Sequence, residues 1–382
     1  MTTSPIQIPA CKHFTGYKPC FPGENCLQEC VQPEPIGTKI LIVNLDAMGN
    51  VLVTTALLPA LKRQYPESTI FWITLKNAAP LLQENPLLDR VYLWEPDSWL
   101  ILNRMTFDLV LNVDKSQRAA AFTMGVTARK RKGFGLNDDG KIIPLNAAAV
   151  ENFRLGLDDH LKFHVNQKTV SQLQCEELGL EFRRDEYLLV LTPEERAFCD
   201  AYKAEQGLDG AALVVGFNTG CSELYPNKKM TVEQHVQLIE RLAGIEGVRL
   251  LLLGGPEDTI RNAEISRRVG AKVLNTPTTE GVRQGLCYIN LCDLVISGDS
   301  FGMHAAIGLK KEIVVWFGVS CPAEIDLYDR GVKLIPEGLA CAPCWKRVCP
   351  FNLECIQQID LDAIVRHVEI FLAQRAGSPP AR

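Results

Sequence analysis

Apolar residues in this chain come mostly in short unbroken runs, and the stretches between them carry helical spacing. In the first half KILIVNL (39–45), TIFWIT (69–74), RVYLW (90–94) and FDLVLNV (107–113) have the length and composition of strands. In the second half ALVVGFN (212–218), VRLLLLGG (248–255), AKVLN (271–275), DLVISGD (293–299) and EIVVWFG (312–318) repeat the pattern. Between them TVEQHVQLIERLAG (231–244) and PEDTIRNAEISRRVG (256–270) read as amphipathic helices ending in glycine. A run that is apolar at nearly every position is buried on both faces, as strands of a parallel sheet are. Alternation of such strands with helices predicts an α/β protein with two parallel-sheet domains.

The polar stretch LTPEERAFCDAYKAEQGLDG (191–210) separates the halves and puts their boundary within 185–210. The expected division is a Cys-rich segment over 1–35, a first sheet domain over 36–190 and a second over 191–358, with a Cys-rich loop at 341–355. A terminal helix with a disordered AGSPPAR tail then occupies 359–382. A length of 382 residues suits two cores rather than one, and 47% apolar with 22% charged residues is the balance of a folded globular chain. No apolar run reaches the roughly eighteen residues of a membrane span, and MTTSPIQIPACKHF has neither the basic start nor the apolar core of a secretion signal. A cytoplasmic location with no integral membrane segment is therefore expected, peripheral contact remaining open. A net charge of −5 argues against general nucleic-acid binding, which draws on many Lys and Arg, so any anion site must be local.

In doubly wound sheets, ligands bind beyond the carboxyl ends of the strands, where helix N-termini offer free N–H groups. That rule selects DAMGN (46–50), NTGCSELYPNKK (218–229), GGPED (254–258) and SGDSFGMH (297–304). Three of the four lie in the second half, which should hold the larger share of a nucleotide-like donor.

Together LDAMGNVLVTTALLPALK, NKKMTVEQHVQLIERL, LLLLGGPED and GDSFGMHAAIGLKKEIVVWFG resemble glycosyltransferase family 9, the ADP-heptose:lipopolysaccharide heptosyltransferase-like enzymes, over roughly residues 38–360. The resemblance implies GT-B architecture, two facing Rossmann-like domains. It also implies inverting transfer of a sugar from a nucleotide-diphosphate donor, ADP-heptose being favoured, without a catalytic metal ion. By the same likeness Lys228 is the phosphate-binding lysine, and Asp299, Ser300, Gly302, Met303 and His304 place helix N–H groups and polar side chains at the diphosphate. Thr219 and Gly220 join them, with Glu257 matched to the donor ribose. The first domain then faces the acceptor, an anionic glycan, glycolipid or protein.

Two positions depart from the family pattern. The glycine turn usually ends in Gly-Asp, the aspartate being the general base, whereas here it ends in Gly49-Asn50. An amide cannot take a proton near neutral pH, so Asn50 either orients a substrate hydroxyl or caps a helix, a position asparagine favours. Asp46, four residues earlier at the strand end, is the candidate substitute base; its plain structural reading is a carboxylate held by its own turn. Phe301 stands where many members have glycine, and a bulky residue limits backbone approach to phosphate. Pro59, inside the helix that follows Asn50, predicts a kink there.

Gly298-Asp299-Ser300-Phe301-Gly302 also fits G-x-S-x-G, which raises a serine hydrolase with Ser300 as nucleophile, Asp326 or Asp329 as acid and His367 as base. That rival leaves the other loops unexplained. The basic run Arg129 to Lys132 follows the fourth strand. It is either a solvated face or, through Arg129 and Arg131 with Arg118 nearby, an attractor for an anionic acceptor.

Fourteen cysteines without a secretion signal point to thiols or metal rather than disulfides. Cys341, Cys344, Cys349 and Cys355 on one fifteen-residue loop suit structural zinc, iron or an iron–sulfur cluster, and spacing alone does not choose. Related autotransporter heptosyltransferases resemble this chain in carrying an iron-binding cysteine quartet. Cys11, Cys20, Cys26 and Cys30 form a second site or complete a shared one. Thiolates near an altered catalytic position also admit an inactive metal-binding sensor on the same scaffold.

Overall fold

The computed structural model describes residues 6–377 apart from 22, 24, 29, 31 and 32. Two six-stranded sheets form its framework. The first comprises β1 (Thr38–Val43), β2 (Ser68–Thr74), β3 (Arg90–Leu93), β4 (Thr106–Asn112), β5 (Thr127–Leu136) and β6 (Ile142–Pro144) in the order β3-β2-β1-β4-β5-β6. The second comprises β7 (Leu213–Asn218), β8 (Val248–Leu253), β9 (Leu274–Asn275), β10 (Leu294–Gly298), β11 (Glu312–Trp316) and β12 (Gly331–Leu334) in the order β12-β11-β10-β7-β8-β9. Counted within each half, both have the doubly wound order 3-2-1-4-5-6. Every pairing is parallel except β5 with β6. The α/β GT-B expectation holds.

The apolar runs became central strands because both faces are covered: every residue of β2 and β7 is buried. Helix Val232–Leu242 shows how the layers close. A capping box between Thr231 and Gln234 satisfies its first N–H groups, and His235, Leu238, Ile239 and Leu242 turn one buried stripe to the sheet. Burial of each such aliphatic side chain stabilises by about 1.5–3 kcal/mol.

Three strands lacked an apolar signal. β5 is the basic run itself, TARKRKGFG lying inside the sheet between β4 and β6. Its charges end on polar partners: Arg131 donates to the Thr123 and Val126 carbonyls, Lys132 to the Leu178 carbonyl, and Arg129 pairs with Asp108 at 3.3 Å. The run is thus a strand of the sheet itself, with Arg129 and Lys130 solvated and Arg131 and Lys132 half-buried. β6 and β12 are short, and their residues are only half-buried.

Asn50 is not a cap. Ala47 occupies that position of helix Met48–Thr54, and Asn50 is its exposed third residue. The expected kink at Pro59 falls one turn earlier: the helix ends at Thr54 and another begins at Leu57. Proline at 59 removes one donor and crowds the carbonyl of Thr55, and Thr55–Ala56 is where the break lies.

After helix Val170–Leu178 the chain crosses extended to the second unit, where helix Pro193–Glu205 begins. A shared core joins the halves: Leu52, Val53, Ala56 and Leu81 of the first domain with Leu286, Val295, Met303 and Ile307 of the second. The terminal helix Leu361–Gly377 packs Ile364 and Val368 onto the second sheet's core; the expected tail beyond 377 lies outside the described residues.

Candidate active site

The carboxyl ends of the two sheets come together where the first helix of one domain packs against the helix after β10 of the other. Gly49 makes this approach possible, since a Cβ there would stand 2.7 Å from the His304 ring. Helix Phe301–Gly308 is buried from Gly302 onward, and Ser300 precedes it as an N-cap whose hydroxyl makes no capping bond. Its first N–H groups therefore need partners from outside the helix. Phe301 packs its side chain on the shared core.

Lys228 and Asp299 form the polar centre of the second domain. Their charged atoms are 2.6 Å apart and both side chains are largely buried. Burial alone would raise the Asp299 carboxyl, but the Lys228 ammonium outweighs it and holds the group below the usual carboxylate range. Asn218, at the end of β7, donates to Ser300 Oγ at 2.8 Å, to Ser297 Oγ at 2.9 Å and to the Gly220 carbonyl at 3.2 Å. Gly302 lies so near it that a Cβ would be 2.3 Å from Asn218 Oδ1. Thr219 is buried and hydrogen-bonded to Asn262 at 2.5 Å, while Gly220 abuts the Asp258 carboxylate, 2.0 Å from where a Cβ would sit. His304 is buried, its imidazole driven down to about 4 by loss of solvent, and its Nδ1 has no partner. Met303 belongs to the shared core. Glu257 stands exposed at the rim.

On the first-domain side Asp46 is ion-paired with Arg118, both about half exposed. Asp114 fixes the turn below them, accepting from the backbone N–H groups of Leu45 at 2.9 Å, Asp46 at 3.1 Å and Ser116 at 2.7 Å. Arg118 is thus brought to the mouth. Arg129 and Arg131 are not: Arg129 is held by Asp108 toward the N-terminal end of the sheet, and the Arg131 guanidinium is turned onto carbonyls of its own domain.

Three residues of the cleft carry no sequence motif. Lys162, on a short π-helical turn Leu161–Val165 of the first domain, pairs with Glu324 of the second at 3.3 Å, and burial raises the Glu324 carboxyl. Trp345 lies with its ring 4.8 Å from Lys228 Nζ and 4.9 Å from Lys162 Nζ, and its indole nitrogen is buried without a partner. The Lys162–Glu324 pair forms only between the two domains, so nothing marks it along the chain.

The hydrolase geometry is absent. Ser300 Oγ meets Asn218 and Ser297, His367 is bonded to Glu312 at 2.8 Å, and Asp326 and Asp329 are both engaged by Arg184. Among the described residues no base is bonded to Ser300 Oγ, so that reading is withdrawn.

The cysteine sets are separate. Cys341, Cys344, Cys349 and Cys355 line one small cavity of about 20 Å³ beside Asn227 and Gly318, whereas Cys11, Cys20, Cys26 and Cys30 line another with which it shares no residue. Among the described residues no group of three or more His, Cys, Asp or Glu side chains is drawn together tightly enough to hold a single ion. Among them, too, no helix is long and apolar enough to cross a membrane.

The family model for glycosyltransferase family 9 (heptosyltransferase) matches residues 99–354. The lipopolysaccharide core heptosyltransferase OpsX of Haemophilus influenzae is 22% identical over 305 residues, which cover 76% of this chain and 82% of that relative. Among solved structures, the E. coli ADP-heptose lps heptosyltransferase II superposes with a TM-score of 0.66 at 17% identity, over 89% of this chain and 100% of that one. The dodecameric iron-containing heptosyltransferase TibC, from an enterotoxigenic E. coli and solved in complex with ADP-D-beta-D-heptose, gives 0.53 at 11% identity, over 88% of this chain and 77% of its own. At such identities the solved structures speak for the fold.

Proposed function

The chain belongs to glycosyltransferase family 9 and is a sugar transferase, and we propose that it inverts the anomeric centre of a heptose carried on ADP as it moves that sugar to an acceptor hydroxyl. The reading is supported above all by the Lys228–Asp299 pair at the open amino end of helix Phe301–Gly308. As the glycosidic bond to phosphate breaks, negative charge grows on the leaving diphosphate. An ammonium and free helix N–H groups in a largely buried pocket stabilise that charge in advance. Asp299 keeps Lys228 placed and charged until the phosphate takes over the contact.

On the opposite face of the sugar the acceptor hydroxyl needs a base. Asn50 is exposed on the first helix and cannot supply one, so Asp46 takes the proton, Arg118 orienting its carboxylate. Arg118 doubles as a contact for an anionic acceptor. Lipopolysaccharide core sugar is the acceptor class suggested by the OpsX relative, and a cytoplasmic site of action fits a nucleotide-sugar donor. The family reading favours this enzyme over an inactive sensor. Cys341, Cys344, Cys349 and Cys355 line one small cavity and are the donors that a structural zinc or iron ion would take on drawing them together, iron-containing TibC being a relative in fold. When bound, such an ion would fix the loop that carries Trp345.

A panel of nucleotide sugars measured by binding and turnover on wild type, Asp46→Asn, Asn50→Asp and Lys228→Ala tests the assignment. Wild type should prefer ADP-heptose. Asp46→Asn should lose about 10²- to 10⁴-fold in turnover with donor affinity kept, as removal of a positioned base does. Lys228→Ala should lose donor affinity. Unchanged turnover in Asp46→Asn removes it as the base, and unchanged affinity in Lys228→Ala removes the diphosphate from this pocket.

A further inference from the structure

The N-terminal cysteines take no part in the cleft. Their segment is pinned to the opposite end of the first sheet: Cys11 bridges to Pro35, Lys12 bonds Glu34 at 2.6 Å and Asp89 at 2.9 Å, and the Thr69 hydroxyl donates to the Ile36 carbonyl at 2.5 Å. Thr69 and Asp89 sit at the starts of β2 and β3, the edge away from the sites of ligand entry. Cys11, Cys20, Cys26 and Cys30 all line one cavity of about 340 Å³, and its remaining walls are apolar, Phe14 and Pro35 among them. All four are free thiols. His13 is turned to Glu34 at 3.0 Å and is absent from the lining.

The size of that cavity separates the candidate occupants. One zinc or iron ion with four thiolates at about 2.3 Å draws the sulfurs to within about 4 Å of one another and leaves no room between them. Here the space far exceeds the roughly 10–15 Å³ that holds one water-sized sphere. The C-terminal set, around about 20 Å³, shows the contrasting ion-sized case within the same chain. Four thiols on the wall of a partly open cavity, with apolar residues between them, are the donor set and the room that an inorganic iron–sulfide core needs. A small-molecule pocket would need polar groups to orient its ligand, and the lining offers thiols alone.

We propose that Cys11, Cys20, Cys26 and Cys30 hold a [4Fe–4S] cluster, one thiolate to each iron. The cluster would lock the stretch that carries these cysteines onto the edge of the first domain, independently of the transferase site and of whatever the C-terminal loop binds.

The test uses the full chain in a Cys344→Ser/Cys349→Ser background, so that iron at the C-terminal loop does not confuse the count. Protein purified without oxygen, or reconstituted with ferrous iron and sulfide, should carry about four irons and four acid-labile sulfides per chain, with broad visible absorption that dithionite bleaches. Changing all four N-terminal cysteines to serine should remove iron, sulfide and colour together. Cys20→Ser alone, at an exposed position, should lower the cluster content and speed its loss in air. The far-ultraviolet circular dichroism of both variants should match the parent, because the segment lies outside both sheets. Zinc or iron without labile sulfide, no metal at all, or a cluster that survives the fourfold change would each overturn the proposal.

Discussion

At the scale of single residues, burial of an unpartnered imidazole has a measurable consequence. His304 is neutral in the fold, its pKa lowered by burial to about 4 from an ordinary 6.5. Between those values the unfolded chain binds a proton that the folded chain refuses, so stability rises with pH across the window. The contribution is fully present above pH 6.5 and is lost as pH falls toward 4, amounting to about 3 kcal/mol at 1.36 kcal/mol per pKa unit. Replacing His304 by Gln should remove that part of the pH dependence: denaturant melts at pH 7 and pH 4.5 should diverge less for the variant than for wild type. Equal divergence would mean that the imidazole is charged in the fold. The ring turns its Cδ2–Nε2 edge to Gly49 and leaves Nδ1 without a partner.

At the scale of elements, the contact between helix Met48–Thr54 and helix Phe301–Gly308 sets the width of the cleft. Gly49→Ala would place a methyl 2.7 Å from the His304 ring, with a buried helix behind that ring. Overpacking of this kind costs about 1–3 kcal/mol, so a lower melting point and reduced turnover are expected together; a fully active, equally stable variant would show that the helices part easily. A second element, the loop 341–355, reaches the same cleft through Trp345. A ring facing two ammonium groups contributes about 0.5–2 kcal/mol. Trp345→Ala should therefore raise the donor KM by several-fold to about tenfold with little change in kcat, whereas an effect on kcat alone would place Trp345 elsewhere in the cycle. Why Lys228, Asp299, Ser300, Thr219 and Gly220 were legible in the sequence and Trp345, Lys162 and Glu324 were not follows from this geometry. The first group sits on loops that a strand and a glycine announce, each at the carboxyl end of its own sheet. The second group depends on how two domains are set against each other, which no local pattern encodes. β5 was missed for a related reason, because Arg129, Arg131 and Lys132 are satisfied by carbonyls and a carboxylate of neighbouring elements, and the sequence displays only the charges. Arg129 and Arg131 followed that error into the acceptor site.

At the scale of the whole molecule, the interface between the domains decides how the enzyme moves. Domains joined by small polar contacts swing by default; a large apolar interface suppresses that motion. Here Leu52, Val53, Ala56 and Leu81 enter the same buried cluster as Leu286, Val295 and Ile307. Charged bonds close its rim: Arg283 holds Glu195 and, at 3.2 Å, the Pro80 carbonyl of the first domain, and Arg184 grips Asp326. Neither domain keeps its surface covered if the other unfolds, because the shared residues would be exposed to water at about 25 cal/mol per Å². Unfolding should therefore be one cooperative event, and calorimetry should give a single transition whose calorimetric and van't Hoff enthalpies agree. Leu52→Ala, which opens a cavity in the shared cluster, should lower that single transition by about 2–5 kcal/mol rather than split it. Two resolved transitions in the wild type would mean that the halves fold alone and that the cleft opens widely, and the donor would then be captured by closure rather than by entry into a preformed gap.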